Sequence, residues 1–373
     1  MRLRVRPPRG KARTTSVLLE QASERIALEV PEARWLYANG DESGFYRPLH
    51  SAELLSALAA HVQELEPVER MGLIQHQWAG VRAERAPLDS VLTLVDALRD
   101  ESEPEVLGAL LAPLLWLADQ VVPELPQPDS GRFALWLRHG FGPALRALGL
   151  APRRKEPDAA RQLRAQLLAI VGGVAEDPET LAGVESRIGP YLRDRSALDP
   201  NLAPGIVRLA ARLGNKSRHD AYVRCMRSAP TAQERTRFLL ALAEFRDPAL
   251  VERTLSLALS LRVPTQDVVP LLARLFDNPA ARDMAWDFIR TRWEALAPRV
   301  PAGLASRLVT ATGALRTPER RAEIVAFFEA NPLPSAARAL RQALERLDLD
   351  ARLRAHLAPG LASFLRDAPV DPR

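Results

Sequence analysis

Six histidines, a single cysteine and an abundance of arginine carry most of the reactive chemistry in this sequence. The histidines are His50, His61, His76, His139, His219 and His356. No two of them make an HExxH pair, and none has the Cys or His neighbours of a zinc knuckle, so the spacing encodes no metal site. Each histidine therefore reads as a surface or satisfied core residue. Cys225 lies between Arg224 and Arg227, a setting that lowers a thiol pKa, but nucleophilic catalysis also needs a base that the fold must bring to it. There is no G-x-S-x-G elbow and no phosphate-cradling glycine loop, and Gly172-Gly173 is an isolated pair in a helical pattern. What the sequence offers instead is recognition. A guanidinium can hold a peptide's terminal carboxylate through paired hydrogen bonds, and Tyr222, Arg224, Arg237, Arg282, Arg290 and Arg292 are the candidates for such a peptide-binding surface. Each of these also fits an ordinary solvated helix face.

The elements that would position these residues are mostly helices. Phe238, Leu239, Leu242 and Phe245 form one apolar stripe at helical spacing, and Trp286, Ile289 and Trp293 form another. Pro230, Pro264, Pro298 and Pro332 recur every 34 residues, leaving room for two helices and two turns in each interval. The tetratricopeptide consensus is absent, so the pattern predicts an irregular α-solenoid of helix pairs, of the HEAT or armadillo kind. Upstream, helical patterns cover 66–78, 88–99, 105–122, 133–148, 161–174 and 179–194, after a first helix that opens near Ser51. Before residue 48 the signal is strand: Met1 to Arg6 alternates, Ser16 to Glu20 is short and apolar, and Ile26, Leu28 and Val30 alternate ahead of Trp35 to Ala38. A sheet this small needs a covering partner, which suggests the last strands of an incomplete β-sandwich over residues 1–47, followed by a helical domain over 48–373.

The junction is the stretch Trp35 to Arg47, WLYANGDESGFYR. Asn39, Gly40, Asp41, Ser43 and Gly44 supply turn chemistry. Trp35, Tyr37, Phe45 and Tyr46 flank the turn and are expected to form a buried cluster joining the sheet to the first helix.

Composition narrows the classes. The chain has 373 residues, 47% of them hydrophobic, enough for a large core. No apolar run approaches the length needed to span a bilayer, no signal-peptide segment is present, and Cys225 has no partner, which together predict a cytoplasmic protein without a membrane partner. The net charge of +5 is carried almost wholly by arginine, with lysine only at positions 11, 155 and 216, and the charges of both signs are interleaved. That pattern describes solvated helices better than a phosphate-tracking stripe, so no nucleic-acid partner is expected. Even Arg2, Arg4 and Arg6 read as the polar face of a strand.

The motif N-x4-GFYR, here Asn39, Gly44, Phe45, Tyr46 and Arg47, resembles the point where the β-sandwich of the zinc aminopeptidases passes into their helical C-terminal domain. That family includes the puromycin-sensitive, endoplasmic-reticulum and membrane alanyl enzymes, which are gluzincins. Pro48 stands where the family usually has a hydrophobic residue. Leu198 to Gly214, Ala229 to Leu259, Gln266-Asp267, Ala285 to Leu296 and Thr317 to Glu329, ending in Phe327-Phe328, are similar to the same helical domain in order and spacing. The resemblance implies a non-catalytic cap that closes over a catalytic domain, in cis or in trans, and helps enclose peptides trimmed from their N-terminus. The family's zinc ligands, its GxMEN element and its transition-state tyrosine lie in earlier domains, so the resemblance implies no catalytic residue and no cofactor here, with zinc in the missing domain. A free-standing solenoid scaffold for proteins or peptides is the competing reading, and a solenoid that binds nucleic acid is a third.

Overall fold

The computed structural model describes residues 1–28, 30 and 32–368. Three short strands open the chain: β1 (Arg2–Arg6), β2 (Arg13–Ser16) and β3 (Trp35–Tyr37). They form one antiparallel sheet in the order β2, β1, β3, with Arg4 facing Thr14 on one side and Tyr37 on the other. The alternation of β1 is what the sheet uses: Leu3 and Val5 are buried, while Arg2, Arg4 and Arg6 point to the other side. Those arginines meet carboxylates, Arg2 with Asp41 at 2.8 Å, Arg4 with Glu69 at 2.9 Å and Arg6 with Glu64 at 3.0 Å. Two strand expectations need correction. The second strand lies at 13–16 and not at 16–20, because its backbone pairs with β1 and its own side chains are all exposed, so hydrophobicity does not mark it. Among the described residues, 26–30 contains no strand; Glu29 and Pro31 lie outside them.

Helices account for nearly all the rest. The first are α1 (Ala52–Ala60), α2 (Pro67–Arg82), α3 (Asp89–Ala97), α4 (Pro104–Trp116), α5 (Asp129–Leu148) and α6 (Asp158–Leu168). They are followed by α7 (Pro178–Arg193), α8 (Ala203–Arg212), α9 (Lys216–Ser228), α10 (Ala232–Ala241), α11 (Pro248–Ala258) and α12 (Thr265–Phe276). The last are α13 (Arg282–Thr291), α14 (Trp293–Leu296), α15 (Ala302–Thr312), α16 (Pro318–Ala330) and α17 (Ala337–Asp367). Polar side chains begin several of them: Ser51, Asp177, Asn215, Thr231, Asp247 and Thr317 each accept a backbone N–H of the first turn. The four prolines spaced by 34 residues all sit between helices or at a helix start, where their missing N–H costs nothing.

The chain divides into two compact units. The first contains residues 1–175 and the chain from Leu357 onward; the second is Glu176–His356. The strand segment 1–47 thus lies within a larger unit that also holds α1 to α6. In that unit α4 packs against α2 and α6, and Trp136 of α5 meets Phe364 edge-on at 5.4 Å. Helix α4 runs on through a π-helical turn, Leu117–Val121, so that Pro104–Glu124 is long and apolar enough by composition to cross a membrane. The sequence reading placed a helix here, over 105–122, but found no apolar run of bilayer length. Its buried side chains, among them Leu107, Leu110, Leu114 and Leu117, are the core of the first unit, and half of its apolar window is covered by protein.

In the second unit α10 packs against α8, α9 and α12, and α12 against α13 and α15. Phe238, Leu239, Leu242 and Phe245 are all buried, as are Trp286 and Ile289, so these face the core; Trp293, the third member of the second stripe, is only half-buried, because α13 ends at Thr291 and Trp293 begins α14. A carboxylate is also folded in. Glu244 is 5% exposed and lies among Arg274 at 2.7 Å, Arg212 at 3.0 Å and Arg208 at 4.0 Å. Burial pushes its pKa up, and the guanidiniums of Arg212, Arg274 and Arg208 outweigh burial and hold it below the ordinary carboxylate value.

Candidate functional site

The junction holds a buried polar network of the first unit, and its motif residues have separable jobs. Asn39 is fully buried and closes the turn by itself: its Oδ1 accepts from Gly44 N at 2.9 Å and its Nδ2 donates to Gly44 O at 3.1 Å. Gly44 must lack a side chain, since a Cβ there would lie 2.0 Å from the ring of Tyr46. Tyr46 lies over that glycine and donates its hydroxyl to Ala38 O at 2.8 Å. Trp35 and Tyr37 are buried, as expected of the cluster. Phe45 is not: its side chain is fully exposed, and along the bend that closes the turn Gly44 and Tyr46 are partly covered while Phe45 and Arg47 face solvent.

Behind the turn stand two carboxylates that sequence reasoning did not single out. Glu42 accepts from the Tyr37 hydroxyl and from Asn39 Nδ2, and its other neighbour is His76 Nε2 at 3.3 Å. Burial, with the Glu69 charge adding to it, raises the Glu42 pKa above the usual carboxylate value. Glu69 is completely buried; it accepts from Arg4, from the Asp41 backbone N–H at 3.0 Å and from the Glu66 backbone N–H at 3.0 Å. The last of these bonds is half of a capping box at the start of α2. That box was legible as Glu66-Pro67-Val68-Glu69 ahead of an apolar run. Gly72 of α2 is the space Glu42 occupies, since a Cβ there would lie 2.2 Å from the carboxylate. His50 stacks on Tyr37 at 5.6 Å and accepts the Ala38 N–H; burial, helped by His76, pushes its pKa down to about 4. His76 is also held below its ordinary value by burial and by the Arg47 charge.

This network forms one wall of a cavity of about 980 Å³ that also lies against α2 and α4. Small residues line it: Ala79 and Gly80 from α2, Ala83 just past its end, and Gly108, Ala109 and Ala112 from α4, with Leu49 filling the space beside Gly80. Phe45, Leu49, Ile74 and Trp78 supply apolar wall, and Arg47, Arg82 and Arg85 line it, Arg82 over the Trp116 ring and Arg47 and Arg85 exposed and without a carboxylate partner among the described residues.

The arginine candidates of the second unit are not brought together. Tyr222 is a core residue and not a surface one, a correction with a clear cause: its ring packs edge-on against Phe238 and Phe245, and its hydroxyl donates to Val207 O at 2.8 Å. Arg282 is likewise buried, at 4% exposure, at the start of α13. Arg237 is half-buried and donates to the Tyr191 hydroxyl. Arg290 pairs with Asp287 at 2.8 Å and lies over the Trp286 ring. Arg224 and Arg292 are exposed, on α9 and just past α13.

Among the described residues, no group of three His, Cys, Asp or Glu side chains is arranged to hold a metal. The donor set that a zinc peptidase requires is therefore not assembled in these residues, and no chemical step is assigned to them.

Comparison with known proteins accounts for the junction and the helices together. Aminopeptidase M1 of Arabidopsis thaliana is 29% identical over 328 residues, covering 85% of this chain and 37% of that protein. Aminopeptidase M1-B of Oryza sativa subsp. japonica is 28% identical over 355 residues, covering 92% of this chain and 40% of its own length. Aminopeptidase 2 of Candida albicans is 23% identical over 337 residues, covering 88% of this chain and 36% of its own. The chain thus spans about two fifths of the length of these relatives or slightly less. The family described as the ERAP1-like C-terminal domain matches residues 35–349, from the first residue of β3 through all but the end of the helical array, and this chain belongs to that family.

Proposed function

We propose that this chain is the non-catalytic C-terminal cap of a zinc aminopeptidase that trims N-terminal residues from peptides. It closes over a catalytic domain supplied in cis or in trans, walls off a chamber and contacts the far end of the peptide. The observation that carries this reading is the family match from residue 35 to residue 349, which opens at the buried junction and takes in nearly every helix. Zinc in this reading belongs to the catalytic domain. The three strands are then the last of a β-sandwich, the helix pairs of the second unit an irregular solenoid, and Arg224 and Arg292 the exposed arginines able to reach a peptide carboxylate. The unpaired Cys225 suits a reducing cytoplasm.

A specific feature favours a cap over a free-standing scaffold. Leu18, Leu19, Phe45 and Leu49 are all exposed in the first fifty residues, Leu18 at 75% and Phe45 at 111%. A domain adapted to stand alone has such surface covered or charged. The experiment is reconstitution: the HExxH-bearing aminopeptidase catalytic part from the same genome, with and without this chain, assayed on peptides of increasing length. Complex formation and a cap-dependent change in the preferred length are expected. Two parts that do not associate, with an unchanged length profile, would overturn the reading.

A further inference from the structure

We propose that Arg208, Arg212 and Arg274 of the second unit form a binding site for a tetrahedral oxyanion, either inorganic phosphate or the phosphoryl group of a small phosphomonoester. The inference concerns this chain alone and does not rest on the aminopeptidase reading. It begins with spacing. Arg208 and Arg212 are four residues apart on α8, which sets two like charges side by side on one helix face and costs stability unless an anion lies against them. Helix α8 and helix α12 both pack on the short helical turn Leu242–Glu244 that follows α10. That turn brings in Glu244, and the last turn of α12 brings in a third guanidinium, Arg274.

One carboxylate cannot serve all three. Arg212 Nε donates to Glu244 Oε2 at 3.0 Å, and Arg274 Nη2 lies 2.7 Å from Oε1. Arg208 approaches that same Oε1 only to 4.0 Å, and its Nε is shut off from water with no acceptor among the described residues. Burial, with the charges of Arg212 and Arg274 adding to it, holds the Arg208 pKa below its ordinary value in spite of Glu244. The next carboxylate outward, Asp277, is 3.3 Å from Arg274, while Arg246 and Arg346 are occupied with Glu176 and Asp350. Three guanidiniums therefore face two carboxylates, and the positive charge left over sits at Arg208.

That surplus selects the ligand. A cation would add to the repulsion and a neutral molecule would leave it in place, whereas an anion between Arg208 and Arg274 turns it into a clamp. The Arg208 side chain is 32% exposed, so its outer N–H groups are within reach of a small ion from solvent. Each guanidinium carries five N–H donors, more than Glu244 can accept. Donors from two separate helices meet the oxygens of a tetrahedral group from different sides, while a planar carboxylate is served by a single fork.

The test is calorimetric titration of the purified chain with inorganic phosphate, glycerol 3-phosphate and acetate, at constant ionic strength held with sodium chloride. Phosphate is expected to bind with a Kd of about 1 mM and acetate about tenfold more weakly or not at all. Arg208→Gln should weaken phosphate at least about tenfold, and Arg208→Lys, which keeps the charge but loses the fork, should fall between it and wild type. Arg262→Gln, at an exposed arginine outside the cluster, should bind as wild type does. Removing Arg208 relieves repulsion and breaks no hydrogen bond, so in phosphate-free buffer Arg208→Gln should unfold at the wild-type midpoint or above it, a result that a merely structural arginine would not give. Phosphate should raise the wild-type midpoint and leave that of Arg208→Gln unchanged. Binding of glycerol 3-phosphate as well as phosphate would make a phosphomonoester the occupant, and binding of phosphate alone would make it the free ion; either supports the site. No binding at about 10 mM phosphate, equal binding of acetate, an equal midpoint shift from chloride, or an Arg208→Gln variant that binds as wild type does would overturn it.

Discussion

A single glycine shows how closely the junction is fitted. Gly72→Ala places a methyl where the Glu42 carboxylate lies, 2.2 Å away, so Glu42 must leave Tyr37, Asn39 and His76 or α2 must shift. A loss of about 1–3 kcal/mol is expected in urea unfolding, whereas Gly131→Ala, in α5 and facing open space, should lose nothing and gain up to about 1 kcal/mol. Histidines carry a second consequence. His50 and His219 both have folded pKa values pushed down to about 4, His50 by burial and the nearby His76, His219 by burial and the nearby Arg253. A histidine whose folded pKa is depressed binds fewer protons in the native state than in the unfolded one. Stability is then complete above the unfolded value of about 6.5 and falls as pH drops toward 4, by up to about 3 kcal/mol for each residue. Unfolding midpoints of wild type and His219→Gln between pH 7 and pH 4.5 check this, and the variant should show the shallower slope. Neither effect was legible beforehand. Gly72 depends on its contact with Glu42, thirty residues earlier, and the burial of His219 beside Thr254 and Phe245 depends on residues far along the chain.

Elements in this protein are joined by buried charge as well as by apolar packing. Arg4 carries β1 onto the start of α2 through Glu69, and removing the guanidinium leaves a fully buried carboxylate held only by two backbone N–H groups. Arg4→Ala should cost about 3 kcal/mol, and Arg4→Ala combined with Glu69→Gln should cost less than Arg4→Ala alone, a non-additivity that denaturant titration of the three proteins would expose. Deleting the first strands therefore disturbs more than a loose appendage, since Leu3 and Val5 are also buried. Glu244→Ala is the matching change in the second unit, leaving Arg208, Arg212 and Arg274 to repel one another, with an expected loss of about 3–5 kcal/mol. Helices were the most legible elements, because their stripes repeat at 3.6 residues and their ends carry proline, threonine, asparagine or aspartate. Strand β2 was not, because Arg13 to Ser16 owes its conformation to hydrogen bonds with β1 and has no buried side chain to pattern. The arginine surface was misjudged at Tyr222 and Arg282 for a related reason: a helical face is readable locally, but which face is covered depends on the neighbouring helix.

At the scale of the molecule, the family was legible because the junction motif and the helical segments recur in one order, and the structure explains the motif physically. Asn39 closes a turn, Gly44 admits Tyr46, and Phe45 and Arg47 are turned outward. What no local pattern could reveal is the cavity beside that motif, since its walls come from the junction and from two separate helices. The cap reading makes a demand on the source genome that can be checked directly, by reading the DNA immediately upstream of the Met1 codon. The account predicts an HExxH and a GxMEN element there, either in frame, making this chain part of one enzyme, or in an adjacent gene, making it the cap of a split one. Neither element in frame nor in a neighbouring gene would contradict the cap reading and leave a free-standing scaffold in its place.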